Sequence, residues 1–423
     1  MLKTDTPSRA DLDGAQAENL ASMRAAVLRS TTCSAVRPYA DALHADHLAD
    51  APLTTRSQLA EWGSRADAPH RITTGETRLV LRSSGSSGRV RTLLHDRVFT
   101  EQVEALGARG LCWEGLSANA YVLNALTPGD LFGGFGFADA ALARRGAAVL
   151  PAGTSLPPQD LAELVADLGI EALVALPGYV QQLRAAVPDA VAALRTVFYL
   201  GDQMPASTVD ALAADVTAVR SFAYSTTETG PIGHQCAHLT GSEHHVHEDL
   251  VVAEVVDPAG ARLPYGQTGD LAVTVLTASG TALVRYLVGD KATLTPSACA
   301  CGSAADVLRI GGRDGSSANI DGTVVTREMF DVALSPLGIP TEAIYQVVTA
   351  ATGADFRLVL AGAALEGVDT DGALAALRGH QTLRKVVRSP RFRGLAVDTV
   401  SAPRTTFRGK HGFFIEEEDE HGR

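Results

Sequence analysis

Residues 83–89 read Ser-Ser-Gly-Ser-Ser-Gly-Arg and are of the types that bind phosphate. Glycine and serine let a backbone approach a ligand closely, and hydroxyl and amide groups can then cradle phosphate oxygens. The segment lacks the Gly-Lys-Ser/Thr ending of a Walker A loop, and a flexible linker is the alternative. An apolar run just before it (residues 79–81) and the basic Arg89 at its end favour a phosphate loop.

Two later segments each end in a single carboxylate. Residues 224–228 read Tyr-Ser-Thr-Thr-Glu, and a carboxylate after hydroxyls can hold a magnesium ion beside phosphates. A loop with an N-capping threonine has the same pattern. Residues 285–290 end in Gly289-Asp290. An aspartate at a turn after a strand can accept both hydroxyls of a ribose, and a plain glycine–aspartate turn is the alternative.

Two further segments, residues 309–313 and 404–410, combine glycine with basic side chains. Taken alone, the first is equally an ordinary glycine-rich turn and the second a solvated basic patch. Each of these segments is weak support for a function by itself. Their order along the chain and the separations between them are more specific than any one segment.

In this order the segments resemble those of the adenylate-forming superfamily of acyl-CoA synthetases, and most of all its phenylacetate–CoA ligase branch. The resemblance runs from Pro52 to Lys410. The family's motifs and the residues that match them are Ser-Ser-Gly-Thr-Thr-Gly-Lys (83–89), Tyr-Gly-x-Thr/Ser-Glu (224–228), Tyr-x-Thr-Gly-Asp (286–290), a Gly-Arg hinge (312–313) and Pro-Arg-Ser/Thr…Gly-Lys (403–410). Weaker matches are residues 52–55, 131–136 and 201–203.

The sequence departs from the family pattern at three positions. Arg89 replaces a lysine, Val288 replaces a threonine, and Gly315 stands where the hinge has an aspartate. Arginine keeps the charge and changes its geometry. A glycine can absorb a large change in backbone angles, so a hinge rotation remains feasible.

The resemblance implies a ligase that needs ATP and Mg²⁺. A carboxylic acid attacks the α-phosphate, which gives an acyl-adenylate and pyrophosphate, and the acyl group then passes to the thiol of CoA. The implied catalytic residues are Lys410 at the α-phosphate and the acid, Thr227 at the α-phosphate, and Glu228 on Mg²⁺. Asp290 would bind the ribose, with Arg313 nearby. The other implied nucleotide-binding residues are Ser83, Ser84, Gly85, Ser86, Ser87, Gly88, Arg89, Gly201, Asp202, Tyr224 and Ser225.

Three of the five cysteines indicate a structural zinc site. Cys236 is followed by a histidine-rich run, and Cys299 and Cys301 form a close pair. Three thiolates and one imidazole suit a closed tetrahedral zinc site, whereas free thiols with surface histidines are the alternative. By resemblance to some members of the branch, His245 is the fourth ligand rather than His244 or His247. Cys33 and Cys112 are expected to be buried as small apolar residues.

The acid pocket is expected between residues 131–136, the loop at Gly201, and Tyr224. Phe132, Phe135 and Phe222 could supply aromatic walls, although ordinary core aromatics are the favoured alternative. The resemblance suggests an aryl or arylacetic acid.

Composition excludes several classes of protein. The 423 residues are 46% hydrophobic and 20% charged, which excludes a disordered chain or a disulfide miniprotein. A net charge of −12 argues against a nucleic-acid partner. No apolar stretch approaches the roughly 18 residues of a membrane helix, and five cysteines fit a reducing compartment, so we expect no membrane partner and a cytoplasmic location.

Apolar runs that alternate with helical patterns predict a multidomain α+β fold of the α/β layer type. We expect a large adenylating domain (residues 1–312), with a β-rich subdomain from about residue 235 to 312, and a small mobile α+β lid domain (residues 313–423). The predicted strands are residues 147–151, 172–176, 197–200, 251–256, 270–276, 281–286, 291–294, 344–349, 356–361 and 392–400. The predicted helices of these regions are residues 158–168, 205–219 and 370–388.

The sequence therefore favours an adenylating acid–CoA ligase that acts on a small carboxylic acid. Two alternatives remain open at this point. One keeps the adenylation but transfers the acyl group to an amine or a carrier-protein thiol, and the other is a non-catalytic nucleotide-binding homologue. The oligomeric state is open as well, with a homodimer among the possibilities.

Overall fold

The computed structural model of the protein describes residues 7–44, 47–65, 67–72, 76–82, 91–129, 133–201, 203–204, 206–312, 317–320, 323–339, 344–349, 355–361, 365, 367–398 and 414–416. No helix within these ranges is both long and apolar enough to cross a lipid bilayer.

The N-terminal part of the chain is mainly helical and then forms a hairpin and a long helix. Its elements are α1 (Arg9–Arg29), 3-10 helices at Arg37–Ala42 and Leu48–Asp50, α2 (Arg56–Trp62), β1 (Thr77–Arg82), β2 (Thr92–Asp96) and α3 (Arg97–Gly110). Helix α1 begins at a capping box, in which the Ser8 hydroxyl accepts the N–H of Asp11 and the Asp11 carboxylate accepts that of Ser8. Strands β1 and β2 pair in antiparallel fashion on either side of the predicted phosphate loop.

A five-stranded parallel sheet follows. Its elements are β3 (Tyr121–Asn124), α4 (Gly134–Arg145), β4 (Ala148–Pro151), α5 (Pro158–Leu168), β5 (Ala172–Ala175), α6 (Pro177–Ala186), α7 (Pro188–Ala192), β6 (Thr196–Tyr199), α8 (Ala206–Leu212) and β7 (Ala218–Ser221). The strand order is β4-β3-β5-β6-β7, and β5 and β6 are buried throughout. Because such sheets bind ligands at the carboxyl ends of their strands, the loops after β3, β6 and β7 are the places to look for a site.

A seven-stranded antiparallel sheet comes next and starts at Tyr224, upstream of the expected start near residue 235. Its strands are β8 (Tyr224–Thr226), β9 (Gly230–His234), β10 (Glu243–Val246), β11 (Val251–Val256), β12 (Thr268–Val275), β13 (Tyr286–Thr295) and β14 (Val307–Gly312). They lie in the order β11-β12-β13-β14-β10-β9-β8. Strands β11 and β8 therefore form the two edges of this sheet.

The C-terminal part has its own sheet and core. Its elements are β15 (Ser317–Ile320), β16 (Thr323–Thr326), α9 (Arg327–Leu334), a 3-10 helix (Ser335–Leu337), β17 (Ile344–Thr349), β18 (Phe356–Ala361), α10 (Thr370–Gly379), α11 (Leu383–Val387), β19 (Phe392–Asp398) and β20 (Phe414–Glu416). The strand order β19-β18-β17-β20 mixes parallel and antiparallel pairs. Phe330, Leu358, Leu377 and Leu383 pack together in this core. The mixed α/β architecture agrees with the predicted fold class.

Three predicted elements are wrong in detail. Helix α8 ends at Leu212 rather than near residue 219, because residues 218–221 join the parallel sheet as β7. Residues 281–286 are not a strand, since β13 begins only at Tyr286. The predicted helix over residues 370–388 is two helices, and the His380 ring between them accepts the N–H groups of Thr382 and Leu383 at 3.2 Å.

The buried side chain of Arg285 joins the N-terminal part to the antiparallel sheet. Its guanidinium donates to the Glu254 carboxylate at 3.0 Å and to the carbonyls of Ala49, Ala51 and Gly260 at 2.8–2.9 Å. Arg285 also has a φ of +46°, which is rare for a residue with a side chain. Every end of the guanidinium is thus held, and the start of β13 is fixed against the N-terminal part.

The N-terminal helical part also shares an apolar core with the end of the antiparallel sheet. Met23, Val27 and Cys33 are fully buried there and pack in one cluster with Leu276 and Val284. The prediction that Cys33 is a buried apolar residue is confirmed.

Gly107 sets the spacing between helices α3 and α4. A Cβ atom at this position would lie 2.5 Å from the Phe137 ring and 2.9 Å from Ala141 Cβ. We expect Gly107→Ala to cost about 1–3 kcal/mol in the free energy of unfolding, because the helices must separate. Gly14→Ala in α1, where nothing lies within 4 Å, should instead stabilise by about 0.5–1 kcal/mol. Urea denaturation of the two variants measures both, and equal effects would contradict the packing argument.

Candidate functional site

A cavity of about 830 Å³ lies between the carboxyl ends of the parallel strands and the antiparallel sheet. Leu126, Leu176 and Leu200, which follow β3, β5 and β6, line one wall. The sequence-predicted residues that border the cavity are Phe135, Gly201, Tyr224, Ser225, Thr227, Glu228 and Asp290. Segments far apart in the sequence therefore meet at one place, as their resemblance to family motifs predicted.

Glu228 is ionised although its side chain is largely buried. The side chain is 7% exposed and lies in an ion pair with Arg91, whose Nη2 donates to Glu228 Oε1 at 2.5 Å. Burial alone would raise the pKa of Glu228, but the charges of Arg91 and Arg56 outweigh it and hold the pKa below its usual range. A charged carboxylate therefore faces the cavity at neutral pH.

His95 binds the backbone of Thr227, the residue before Glu228. The ring Nε2–H of His95 donates to the backbone carbonyl of Thr227 at 2.9 Å, and the ring packs edge-on against Phe99. Burial lowers the pKa of His95 to about 4, so the ring is neutral at pH 7. A neutral histidine thus fixes the backbone of Thr227 without adding charge beside Glu228.

Asp290 lies opposite this motif, and Tyr224 connects the two. The Tyr224 hydroxyl donates to Asp290 Oδ2 at 2.8 Å. Asp290 lies inside β13, and not at a turn after a strand as predicted. Gly289 before it has a φ of +84°, and a Cβ there would lie 2.5 Å from the Arg56 guanidinium, so only glycine fits. The glycine therefore lets the backbone of β13 pass close to the Arg56 guanidinium immediately before Asp290.

The predicted aromatic walls are only partly present. Phe135 borders the cavity, and so does Phe137, which the sequence reasoning missed. Phe222 does not: it is 0% exposed and packs edge-on against Phe137 and Phe198 in the core. The reason is that Phe222 follows β7 with its side chain on the core face of the sheet, so the favoured alternative of a core aromatic holds for this residue.

Several predicted site residues lie outside the described residues. They are Ser83, Ser84, Gly85, Ser86, Ser87, Gly88, Arg89, Phe132, Asp202, Arg313 and Lys410.

The four predicted zinc ligands come together at one end of the antiparallel sheet. The donor atoms of Cys236, His245, Cys299 and Cys301 all lie within 4.8 Å of one another. Two of the separations are 3.5 Å between the sulfurs of Cys236 and Cys299, and 3.2 Å between Cys301 Sγ and His245 Nε2. A set of three sulfurs and one imidazole nitrogen is the donor chemistry that zinc prefers in closed sites.

The surroundings of the cluster single out His245 among the histidines. Its Nδ1–H donates to the Ala305 carbonyl at 3.0 Å, which leaves Nε2 with a lone pair directed to the cluster. His244 instead borders the large cavity, and His247 accepts from Arg109 at 3.2 Å. Backbone N–H groups of His238 and Ser303 donate to the sulfurs of Cys236 and Cys301 at 3.4 Å, which favours thiolates.

The prediction that Cys112 is buried is wrong. It is half-exposed rather than buried, because it follows the end of α3 in a loop.

Sequence reasoning missed the basic side chains around the cavity. Arg56 and Arg91 lie beside Glu228, and no motif named them. Arg91 follows the predicted phosphate loop by two positions, and this closeness was the one available signal. A second basic group comes from the C-terminal part and borders the same cavity: Arg384, Lys385, Arg388 and Arg391.

The Arg91–Glu228 pair predicts a specific double-mutant pattern. Arg91→Met leaves a buried carboxylate without its partner and should cost about 3–5 kcal/mol, whereas the double variant with Glu228→Gln should recover much of the loss. Because the pKa of Glu228 is lowered in the fold, the stability that the pair contributes should be full above the ordinary value of 4.5. It should be lost as the pH falls from there through the lowered pKa of the folded state.

Urea denaturation measures these differences in free energy of unfolding. Arg97→Ala is the control, since its pair with Glu101 is exposed and should contribute less than about 1 kcal/mol. Equal losses for the single and double variants would contradict the pairing.

Comparisons with known proteins agree with this geometry. A family model described as AMP-binding enzyme matches residues 27–276. None of the curated proteins matches the chain. Among solved structures, a 2-hydroxyisobutyryl-CoA ligase in complex with 2-HIB-AMP and CoA, in its thioesterification state, superposes with a TM-score of 0.74 at 20% identity, over 97% of this chain and 91% of that one.

Two further structures share the fold. The same ligase in the postadenylation state superposes with a TM-score of 0.62 at 18% identity, over 99% of this chain and 94% of that one. The amide bond synthetase McbA from Marinactinospora thermotolerans superposes with a TM-score of 0.50 at 15% identity, over 78% and 67% of the two chains. The family match covers more than half of the chain, so the protein belongs to the AMP-binding enzyme family and is an adenylate-forming ligase.

Proposed function

We propose that the protein adenylates a carboxylic acid, of the aryl or arylacetic class, and transfers the acyl group to CoA. The observation that carries this proposal is the ionised Glu228 and the Tyr224–Asp290 pair on one cavity of about 830 Å³. That volume lies in the range of cavities that enclose a small-molecule ligand. Asp290 borders this cavity, and its carboxylate oxygens can accept hydrogen bonds from ribose hydroxyls.

The first step forms an acyl-adenylate. A carboxylate oxygen of the acid attacks the α-phosphorus of ATP, and the bond to the bridging oxygen of the β-phosphate breaks as pyrophosphate leaves. We assign Thr227 to the α-phosphate and residues 83–89 to the leaving phosphates. Fixed donors at these oxygens lower the barrier because negative charge concentrates there.

We also assign Glu228 to Mg²⁺. Its carboxylate is charged, borders the cavity, and has Oε1 engaged by Arg91, so it retains oxygen lone pairs for a cation. When bound, Mg²⁺ supplies charge neutralisation at the phosphates.

The acid is proposed to lie on the apolar side of the cavity. Leu79, Leu81, Val103, Phe135 and Phe137 border it there. Such side chains suit a flat apolar ring better than a charged chain. A phenylacetate–CoA ligase-like role follows from this lining together with the family motifs.

The second step needs an acceptor, and the basic rim favours CoA. Arg384, Lys385 and Arg388, on or next to α11, border the cavity together with Arg391. The phosphates of a nucleotide-bearing thiol would meet these side chains, and its sulfur would attack the acyl carbon and release AMP. The residues after Gly312 are then the mobile small domain, residues 1–312 are the large one, and Lys410 acts in the first step from the small domain.

An amine acceptor is the second candidate. It is favoured by the shared fold of an amide bond synthetase, McbA.

We propose that Cys236, His245, Cys299 and Cys301 hold a structural zinc ion. Four protein ligands leave no open position for catalysis, so the ion would pin the loop around residue 300 to β9 and β10. None of the five cysteines forms a disulfide, which suits a reducing compartment, and we propose a cytoplasmic location.

Acid-dependent exchange of labelled pyrophosphate into ATP tests the adenylation. We expect exchange with an aryl or arylacetic acid, and none after Lys410→Ala. Asp290→Asn should raise the KM for ATP roughly 10- to 100-fold, because a charged acceptor is lost, and Tyr224→Phe less than 10-fold. Exchange that needs no acid, or a Lys410→Ala variant at the parent rate, would overturn the proposal.

Net release of pyrophosphate, measured with and without each acceptor, identifies the acceptor. Release that rises several-fold with CoA supports the thioester, and release that rises with an amine and ignores CoA supports the second candidate.

Metal analysis of the purified protein tests the zinc site. We expect about one zinc per chain, its loss in Cys299→Ser, and a lower thermal midpoint in that variant. Cys112→Ser is the matched control, since this thiol lies outside the cluster and should leave metal content unchanged. Less than about half an equivalent in the parent would refute a stoichiometric site.

A further inference from the structure

A second, smaller cavity lies behind the Arg91–Glu228 pair. Its volume is about 170 Å³, and it is bounded by α2, by β2 and by the residues around Arg71. The polar side chains that line it are Ser64, His70, Arg71, Arg91, Thr92 and Thr281. The cavity is thus separate from the proposed nucleotide site but shares Arg91 with it.

Arg71 is buried with part of its guanidinium unpaired. The residue is 2% exposed, and its Nη1 donates to the Leu94 carbonyl at 2.9 Å. Its Nε and Nη2 have no hydrogen-bond partner among the described residues. Buried donors without partners are rare in native proteins and call for an explanation such as a bound water or ion. Arginine stays charged in proteins, so it cannot escape the cost by losing a proton.

The charge of Arg71 is only partly balanced. Burial lowers its pKa, and the carboxylate whose charge acts against this is Asp96. Asp96 already accepts the N–H of Phe99 at 2.9 Å and the hydroxyl of Ser279. Arg91 brings a second positive charge to the wall, and its own partner Glu228 faces the other cavity. The smaller cavity therefore has an excess of positive charge at its surface.

His70 is a second side chain of this cavity that has a buried nitrogen without a partner among the described residues. Its ring stacks on Trp62 with centroids 5.3 Å apart, and Nδ1 has no partner among the described residues. Burial, and then the charge of Arg71, lower the pKa of His70 to about 4. A neutral imidazole can donate one hydrogen bond, so His70 can serve an anion without adding charge.

We propose that this cavity binds a small tetrahedral oxyanion of the phosphate class, held by Arg71 with Arg91 and His70. Water would fill the space and satisfy the donors, but it would leave the excess positive charge in place. An oxyanion supplies both acceptors and charge, and guanidinium groups bind it strongly. Because Arg91 touches both cavities, the anion draws on the same guanidinium that neutralises Glu228.

Crystals of the full-length protein soaked in selenate, an anomalous scatterer that mimics phosphate, test the proposal directly. We expect an anomalous peak within hydrogen-bond distance of the Arg71 guanidinium. A peak only at the larger cavity or on the surface would indicate an adventitious ion only and would overturn the proposal. The absence of any peak would overturn it as well. This result does not depend on the acid, the acceptor or the adenylation, so it can fail while the proposed function stands.

Thermal unfolding in phosphate, compared with chloride at equal ionic strength, gives the second test. The parent should gain about 1–3 °C with phosphate near ten times its dissociation constant. Arg71→Gln should lose this gain, and Arg65→Gln, which removes a fully exposed arginine nearby, should keep it. Equal gains in the parent and Arg71→Gln would refute the site.

A third variant covers the case in which Arg71→Gln does not fold. Ala60→Met fills the smaller cavity from α2 and leaves Arg71 intact. The gain with phosphate should vanish in this variant as well, and a retained gain would contradict the site.

Discussion

A carboxylate that is removed from water must have a fixed positive charge beside it, and the site of this protein is built around that constraint. Glu228 meets the requirement through Arg91, which follows the predicted phosphate loop at the start of β2. The pair joins the β1–β2 hairpin to the segment between β8 and β9. His95 and Tyr224 then hold the neighbouring positions by one hydrogen bond each. Both partners of the ion pair border the cavity, so the pair fixes these two segments relative to each other at the site.

The placement of several candidate site residues could be predicted from motifs whose spacing along the chain reflects a local conformation. Tyr224, Thr227, Glu228 and Asp290 border a single cavity, as the motifs indicated, and Cys236 meets the other predicted zinc ligands. Strands such as Val251–Val256 were also predictable, because an apolar run between turn residues has few other solutions. The family, the fold class and the enzyme class follow from these parts of the sequence.

The remainder depends on contacts between distant parts of the chain, which no local pattern contains. Arg91 is an ordinary basic residue in the sequence, and only the fold places it against Glu228, 137 residues away. Phe137 borders the cavity and Phe222 lies in the core, because the packing of α4 on the sheet decides which of these two neighbouring aromatics faces the cavity. Residues 218–221 left a helical pattern because an open edge of the parallel sheet was available to them.

The core shared by α1 and the end of the antiparallel sheet bears on how the chain acquires its structure during synthesis. Met23 and Val27 are made early, but Leu276 and Val284, against which they pack, emerge from the ribosome about 250 residues later. At the usual rates of translation, that interval lasts roughly 10–50 seconds. Throughout it, the side chains of α1 that belong to this core remain without their partners. Contacts of such long sequence separation also slow folding, since the entropy of closing the loop is lost before the contact is made. The apolar side chains of this helical part are therefore open to aggregation and to chaperones until the antiparallel sheet has been made.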